Sequence, residues 1–169
     1  MDIPKIIFRW AWTLDKRLVR DPKWEKPSAE HMRSLEARIR SEWEPIGDHV
    51  LEEISKITKL MWFEKDITCY VSYGVIPLSH PLVISGNSTV FTVIHELIHR
   101  IFSQQENPEI FDDNWKTYLG ENSKYKNETS RCRSHIPLYA VYIAVVRNIF
   151  GEEKLQKDLR SIQGESYLR

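Results

Sequence analysis

Apolar residues along this chain change their period twice. Ile6, Trp10, Leu14 and Leu18 fall four apart, which predicts a helix, with Pro4 near its start and Asp21-Pro22 as its stop. After KWEKPSAE, Ser28 is expected to open a charged helix reaching about Trp43, with Met32, Leu35 and Ile39 as its apolar stripe. Pro45 restarts the chain, and Ile46, Val50, Leu51, Ile54 and Ile57 predict a further amphipathic helix. MWFEKDITCYVSYGV then switches to period two, with Ile67, Cys69, Val71 and Tyr73 on one face. That run predicts two strands, or one long strand bent near Glu64-Lys65. PLVIS, from Pro81 to Ser85, predicts a short strand whose proline suits an edge.

The helical period returns after Gly86-Asn87-Ser88, with Asn87 or Ser88 as the expected N-cap. Thr89 to Ser103 or Gln104 predicts a helix, stopped by Asn107-Pro108. From there to Arg133 the chain is polar with aromatic islands at Phe111, Trp115, Tyr118 and Tyr125, and a short helix is expected from Asp113 to Leu119. Ser134 is expected to cap an apolar helix from His135 to Phe150, with Pro137 in its first turn. Gly151 ends it, and EEKLQKDLRSI predicts a last amphipathic turn or two.

Lys+Arg and Asp+Glu both total 24 over 169 residues, so net charge is zero. That balance leaves no electrostatic footprint for nucleic acid or an anionic membrane. No apolar run reaches the ~20 residues that span a bilayer; IPLYAVYIAVV is too short and ends at Arg147. MDIPKIIFRWAW carries Asp2 and Arg9 and lacks a small-residue cleavage site, so the expected compartment is the cytoplasm. Cys69 and Cys132 lack a CxxC spacing and are expected as reduced thiols. Nothing in the sequence speaks to oligomeric state.

Chemistry concentrates in HELIH, residues 95 to 99. Residues four apart lie one above the other on a helix, so His95 and His99 can aim ring nitrogens at one point. Zinc takes such nitrogens at roughly 2.0–2.1 Å. Glu96, one position on, is poorly placed to chelate but can reach a water on the open side of the metal. Zinc makes that water acidic, and the carboxylate serves as general base. Val90, Phe91, Val93, Ile94, Leu97, Ile98, Ile101 and Phe102 wrap most of this helix, leaving Thr92, His95, Glu96, His99 and Ser103 as one polar stripe. Buried histidines and a glutamate are costly unless paired or metal-bound.

With this motif the chain resembles the HExxH zinc metallopeptidases, the zincins, and looks closest to minimal gluzincin-like proteins. Ile46–Lys59, ITCYVSY, PLVIS and TVFTVIHELIHR follow the family's order of backing helix, strands, edge strand and active-site helix, over roughly residues 45 to 150. The resemblance implies an α+β zincin-like fold with backing helices, a small mixed sheet with an edge strand, and a second buried C-terminal helix. The domain would divide into a helical extension over 1–44, a core over 45–150 and a tail over 151–169. It implies Zn2+ as cofactor and a peptide or protein substrate, which would lie beside the PLVIS edge.

The third ligand is open. The metzincin extension is absent, because RIFSQQENP follows His99. Glu121, Glu128 and His135 are candidates, with Asp112 and Asp113 as outsiders. His135 is favoured, standing at the mouth of a buried helix that must pack beside HELIH. Pro137 argues against one continuous helix through Glu128 and His135, and Glu128 is kept as the alternative ligand. Tyr139 and Tyr142 could donate to a developing oxyanion or simply fill the core. His80 is expected as an exposed loop residue, and Arg131, Arg133 and Cys132 carry no specific signal. Two rivals to the peptidase stand beside it: a zinc- or peptide-binding protein without turnover on the same scaffold, and a metal-free helical interaction protein.

Overall fold

The computed structural model describes residues 2–13, 15, 27–73, 75–104 and 123–164. Lys5–Trp10 forms β1, Ala29–Trp43 α1, Gly47–Thr58 α2, Asp66–Ser72 β2 and Val83–Ser85 β3. Val90–Phe102 forms α3, Ser130–Phe150 α4 and Glu152–Gly164 α5. Among the described residues the architecture is α+β, five helices with a three-stranded sheet of order β1-β2-β3.

Both strand pairings are parallel, so the sheet is not the mixed one expected. β1 also corrects the first part of the expected first helix: Ile6 pairs with Ile67 and Phe8 with Cys69, whereas Trp12, Thr13 and Asp15 are helical. The four-residue spacing of Ile6 and Trp10 is overridden by a ladder to a strand far along the chain. Leu14 and Leu18 lie outside the described residues.

Helix α1 starts as its sequence predicts, with Ser28 Oγ accepting from the His31 N–H at 3.1 Å. It also takes two backbone groups on the outer rim of β1. Arg40 donates to the Phe8 carbonyl at 3.2 Å, and the Trp10 N–H donates to Glu36 at 3.1 Å. Arg40 and Glu36 pair with each other as well.

Upstream of β2 the period-two pattern exists without a strand. Leu60 and Trp62 are buried and Met61 and Phe63 exposed. The Trp62 indole N–H donates to the Leu51 carbonyl at 3.2 Å, and the Phe63 N–H donates to Gln104 Oε1 at 3.2 Å. Isolated acceptors take the place of a neighbouring strand.

One buried cluster runs from Phe8 and Met32 through Ile54, Val71 and Leu97 to Leu155. The segments expected as extension and tail therefore both supply core side chains. α5 is a full thirteen-residue helix rather than a turn or two. α2 and α4 are joined by Asn148, which donates to the buried Glu53 at 2.7 Å. No helix among the described residues is long and apolar enough to cross a membrane.

Gly47, the first residue of α2, lies under the Trp43 indole; a Cβ there would sit 2.2 Å from Nε1 and 2.6 Å from Cε2. Trp43 is buried edge-on to Phe8, with ring centroids 6.3 Å apart, and has little room to yield. Gly47→Ala is expected to lower stability by about 1–3 kcal/mol in spite of alanine's better helix propensity. A urea midpoint at or above that of the parent chain would contradict this packing.

Candidate metal centre

The N-cap of helix α3 is Thr89 rather than Asn87 or Ser88, and the Thr89 N–H donates to Thr92 Oγ1 at 3.4 Å. Val93, Ile94, Leu97, Ile98 and Ile101 are fully buried, which locks the helix into the core and fixes where its polar stripe points. His95 and His99 sit one turn apart with ring centroids 5.0 Å from each other.

Helix α4 brings the third imidazole. It begins earlier than expected, at Ser130, with the Thr129 side chain accepting from the Cys132 N–H at 3.1 Å. Pro137 is inside the helix, not in its first turn. The helix continues although Pro137 has no N–H to return to the Arg133 carbonyl. The His135 ring centroid lies 4.9 Å from that of His99 and 5.8 Å from that of His95. One ligand atom from each of the three histidines lies within 4.8 Å of the other two, and all three side chains are half-buried.

Glu128 is not brought to this cluster. It stands exposed just ahead of the α4 cap and takes a hydrogen bond from the Cys132 thiol, which pushes that thiol's pKa up. The cap, rather than Pro137, separates it from His135. Both cysteines are free, Cys69 buried and Cys132 exposed. Glu121, Asp112, Asp113, Trp115, Tyr118 and the expected Asp113–Leu119 helix lie outside the described residues.

The three rings suit metal ligation electrostatically. His135 Nδ1 lies 2.8 Å from the Arg131 carbonyl, which can only accept. Nδ1 therefore carries the proton and Nε2 keeps its lone pair. Burial pushes His95 down to about 3, helped by the neighbouring His99 and His135. His99 is pushed down to about 4 by burial and then by His135 and His80. Both stay neutral at physiological pH, the form that binds metal. Three imidazole nitrogen donors fit a zinc ion with one position left open.

Glu96 is 8% exposed, and burial pushes its carboxyl up to about 7. It has no hydrogen-bond or ion-pair partner among the described residues. Beneath it on β2 is Cys69, whose thiol is raised by burial and then by Glu96 itself.

Around the trio, Tyr139 and Tyr142 divide. Tyr142 is 2% exposed and donates its hydroxyl hydrogen bond to Asp158 on α5. The half-buried Tyr139 has no hydroxyl partner among the described residues, and its ring lies 5.6 Å from that of His95. His80 is exposed as expected, with Nδ1 3.3 Å from Ser79 Oγ. Arg131 contributes through its carbonyl, not its side chain.

The expected berth for an extended peptide at β3 is taken. Facing away from β2, the N–H and carbonyl of Val83 both bond to Leu78 at 2.9 Å. The Ser85 N–H donates to Ser88 Oγ at 3.0 Å, and the Ser85 carbonyl accepts from the Ser88 N–H at 3.0 Å. The chain's own backbone thus occupies the rim to which a peptide strand would add.

Comparison with protein-family models, curated proteins and solved structures finds no match to this chain.

Sequence reading missed the anchor of α3. Arg100 forks onto Glu64 at 2.7 and 2.5 Å and also reaches the Ser79 carbonyl at 2.6 Å. Gln104 Nε2 donates to the same Glu64 at 3.0 Å. Arg100, foremost, holds the Glu64 carboxyl below its ordinary value of 4.5. A depressed carboxyl stabilises the fold above its unfolded pKa and loses that contribution as pH falls through the folded value. Glu64→Gln is expected to flatten the acid limb of a stability profile as pH falls below the ordinary carboxyl value of 4.5, and to cost roughly 1–3 kcal/mol near neutrality. Urea midpoints with the same pH slope in both proteins would contradict it.

Proposed function

We propose that this chain is a zinc-dependent hydrolase of the metallopeptidase kind, with His95, His99 and His135 holding the metal and Glu96 as general base. The observation that carries the reading is the convergence of three half-buried imidazoles within 4.8 Å, beside a buried carboxyl that no protein group partners among the described residues. The zincin resemblance of HELIH, carried by the same residues, agrees with it.

His95, His99 and His135 would hold the zinc, which would supply Lewis acidity toward a substrate carbonyl and a water. Glu96 takes the proton of the attacking water and passes it to the leaving nitrogen. The Arg131 carbonyl keeps His135 in the tautomer that presents Nε2. Tyr139, whose hydroxyl is held protonated by burial above all, can donate to the carbonyl oxygen as charge develops there. Side chains, rather than the β3 backbone, must then hold the substrate.

A second reading, a zinc-holding scaffold without turnover, draws support from that occupied β3 rim.

Freshly purified protein is expected to carry about one zinc per chain, and His99→Ala to carry almost none. Glu96→Gln is expected to keep its zinc while hydrolysis of a mixed quenched-peptide library falls by about 10²-fold or more. Hydrolysis that survives this substitution sinks the general-base assignment. Zinc-loaded parent protein without hydrolysis favours the scaffold, and parent protein that takes up no zinc removes both readings.

A further inference from the structure

Ligating imidazoles ordinarily have the nitrogen that faces away from the metal tied to an acceptor, which fixes the ring. His135 has such a tie in the Arg131 carbonyl. His95 has none among the described residues. Beyond the imidazoles of His99 at 5.0 Å and His135 at 5.8 Å, its ring is bordered by Tyr139 at 5.6 Å and Tyr142 at 6.2 Å, both near edge-on at 64° and 68°. The two tyrosine rings also meet each other at 6.1 Å and 87°. His135, Tyr139 and Tyr142 thus form one stripe of α4, three and four residues apart.

The end of that stripe is fastened from outside α4. Tyr142 donates its hydroxyl hydrogen bond to Asp158 Oδ2. Asp158 follows the fully buried Leu155 by three residues, so both project from the face of α5 that packs on the core. Burial raises the Asp158 pKa, and the Tyr142 hydrogen bond opposes that rise. A hydroxyl this deeply buried is costly without an acceptor, so ring and acceptor hold each other in place.

We propose that Tyr142 and Asp158 are positioning residues for the metal centre: α5, through Asp158, fixes the Tyr142 ring, and that ring fixes the angle at which His95 presents its nitrogen. The inference rests on the proposed three-histidine centre.

The test is cobalt(II) titration of the full chain against a competing chelator, with the visible spectrum of the bound ion recorded. Tyr142→Phe keeps the ring but cuts the fastening. Asp158→Ala removes the acceptor, whereas Asp158→Asn keeps an oxygen acceptor and removes only the charge. Tyr142→Phe and Asp158→Ala are each expected to weaken cobalt binding roughly 10-fold and to change its spectrum, with Asp158→Asn staying within about 2-fold of the parent. Combining Tyr142→Phe with Asp158→Ala is expected to add little, since both cut one link. Parent-like affinity and spectrum in both cut variants overturn the proposal, even if their urea midpoints fall. So does an Asp158→Asn variant as weak as Asp158→Ala, which assigns the effect to charge. Should Tyr142→Phe fail to fold, the Asp158 pair decides alone. A parent protein that binds no cobalt retires the metal centre itself, a failure distinct from that of the fastening.

Discussion

Apolar contact between α3 and α4 decides where the polar side chains of both helices must go. Val93, Ile94, Leu97, Ile98 and Ile101 on one, and Leu138, Val145 and Val146 on the other, are entirely withdrawn from water. Each such side chain contributes about 1.5–3 kcal/mol relative to an exposed one. Leaving a polar group unpaired in the interior costs about 1–3 kcal/mol. The apolar sum wins, so His95, Glu96 and His99 are drawn inward and His135 is laid against them. The low proton affinity of the first two histidines and the high one of Glu96 are consequences of that displacement.

The histidine pair could be read from the chain because one helical turn is enough to define it. His135 was within reach of the same reasoning, since an apolar helix that follows HELIH has few other surfaces to bury against. The start of α4 was not, because Thr129 and Ser134 are equally good caps by residue type and Pro137 pointed to the later one. β1 was lost to a coincidence of spacing, as Ile6 and Trp10 suit a helix until Ile67 and Val71 are placed beside them. The links from Arg100 to Glu64 and from Tyr142 to Asp158 join segments whose proximity no local pattern encodes.

Support for the site therefore comes from three directions. α3 is anchored at its far end through Arg100 to Glu64 and Ser79. α4 carries its own orienting acceptor for His135 in the Arg131 carbonyl. α5 reaches back through Asp158. The sheet contributes mainly Cys69, beneath Glu96, and its rims are occupied at Phe8, Trp10, Val83 and Ser85 by the chain's own donors and acceptors. At β3 these bonds leave an incoming strand little to pair with.

The position of β1 has a bearing on the order of assembly. Lys5 pairs with Asp66 and Trp10 with Val71, so β1 has no ladder to join until α1, α2 and all of β2 have been synthesised. Closing so long a loop is slow and entropically opposed, whereas a helical turn forms in well under a microsecond. HELIH needs only one local helical turn to set its spacing. The scaffold that holds it is completed only when the beginning of the chain returns to its middle.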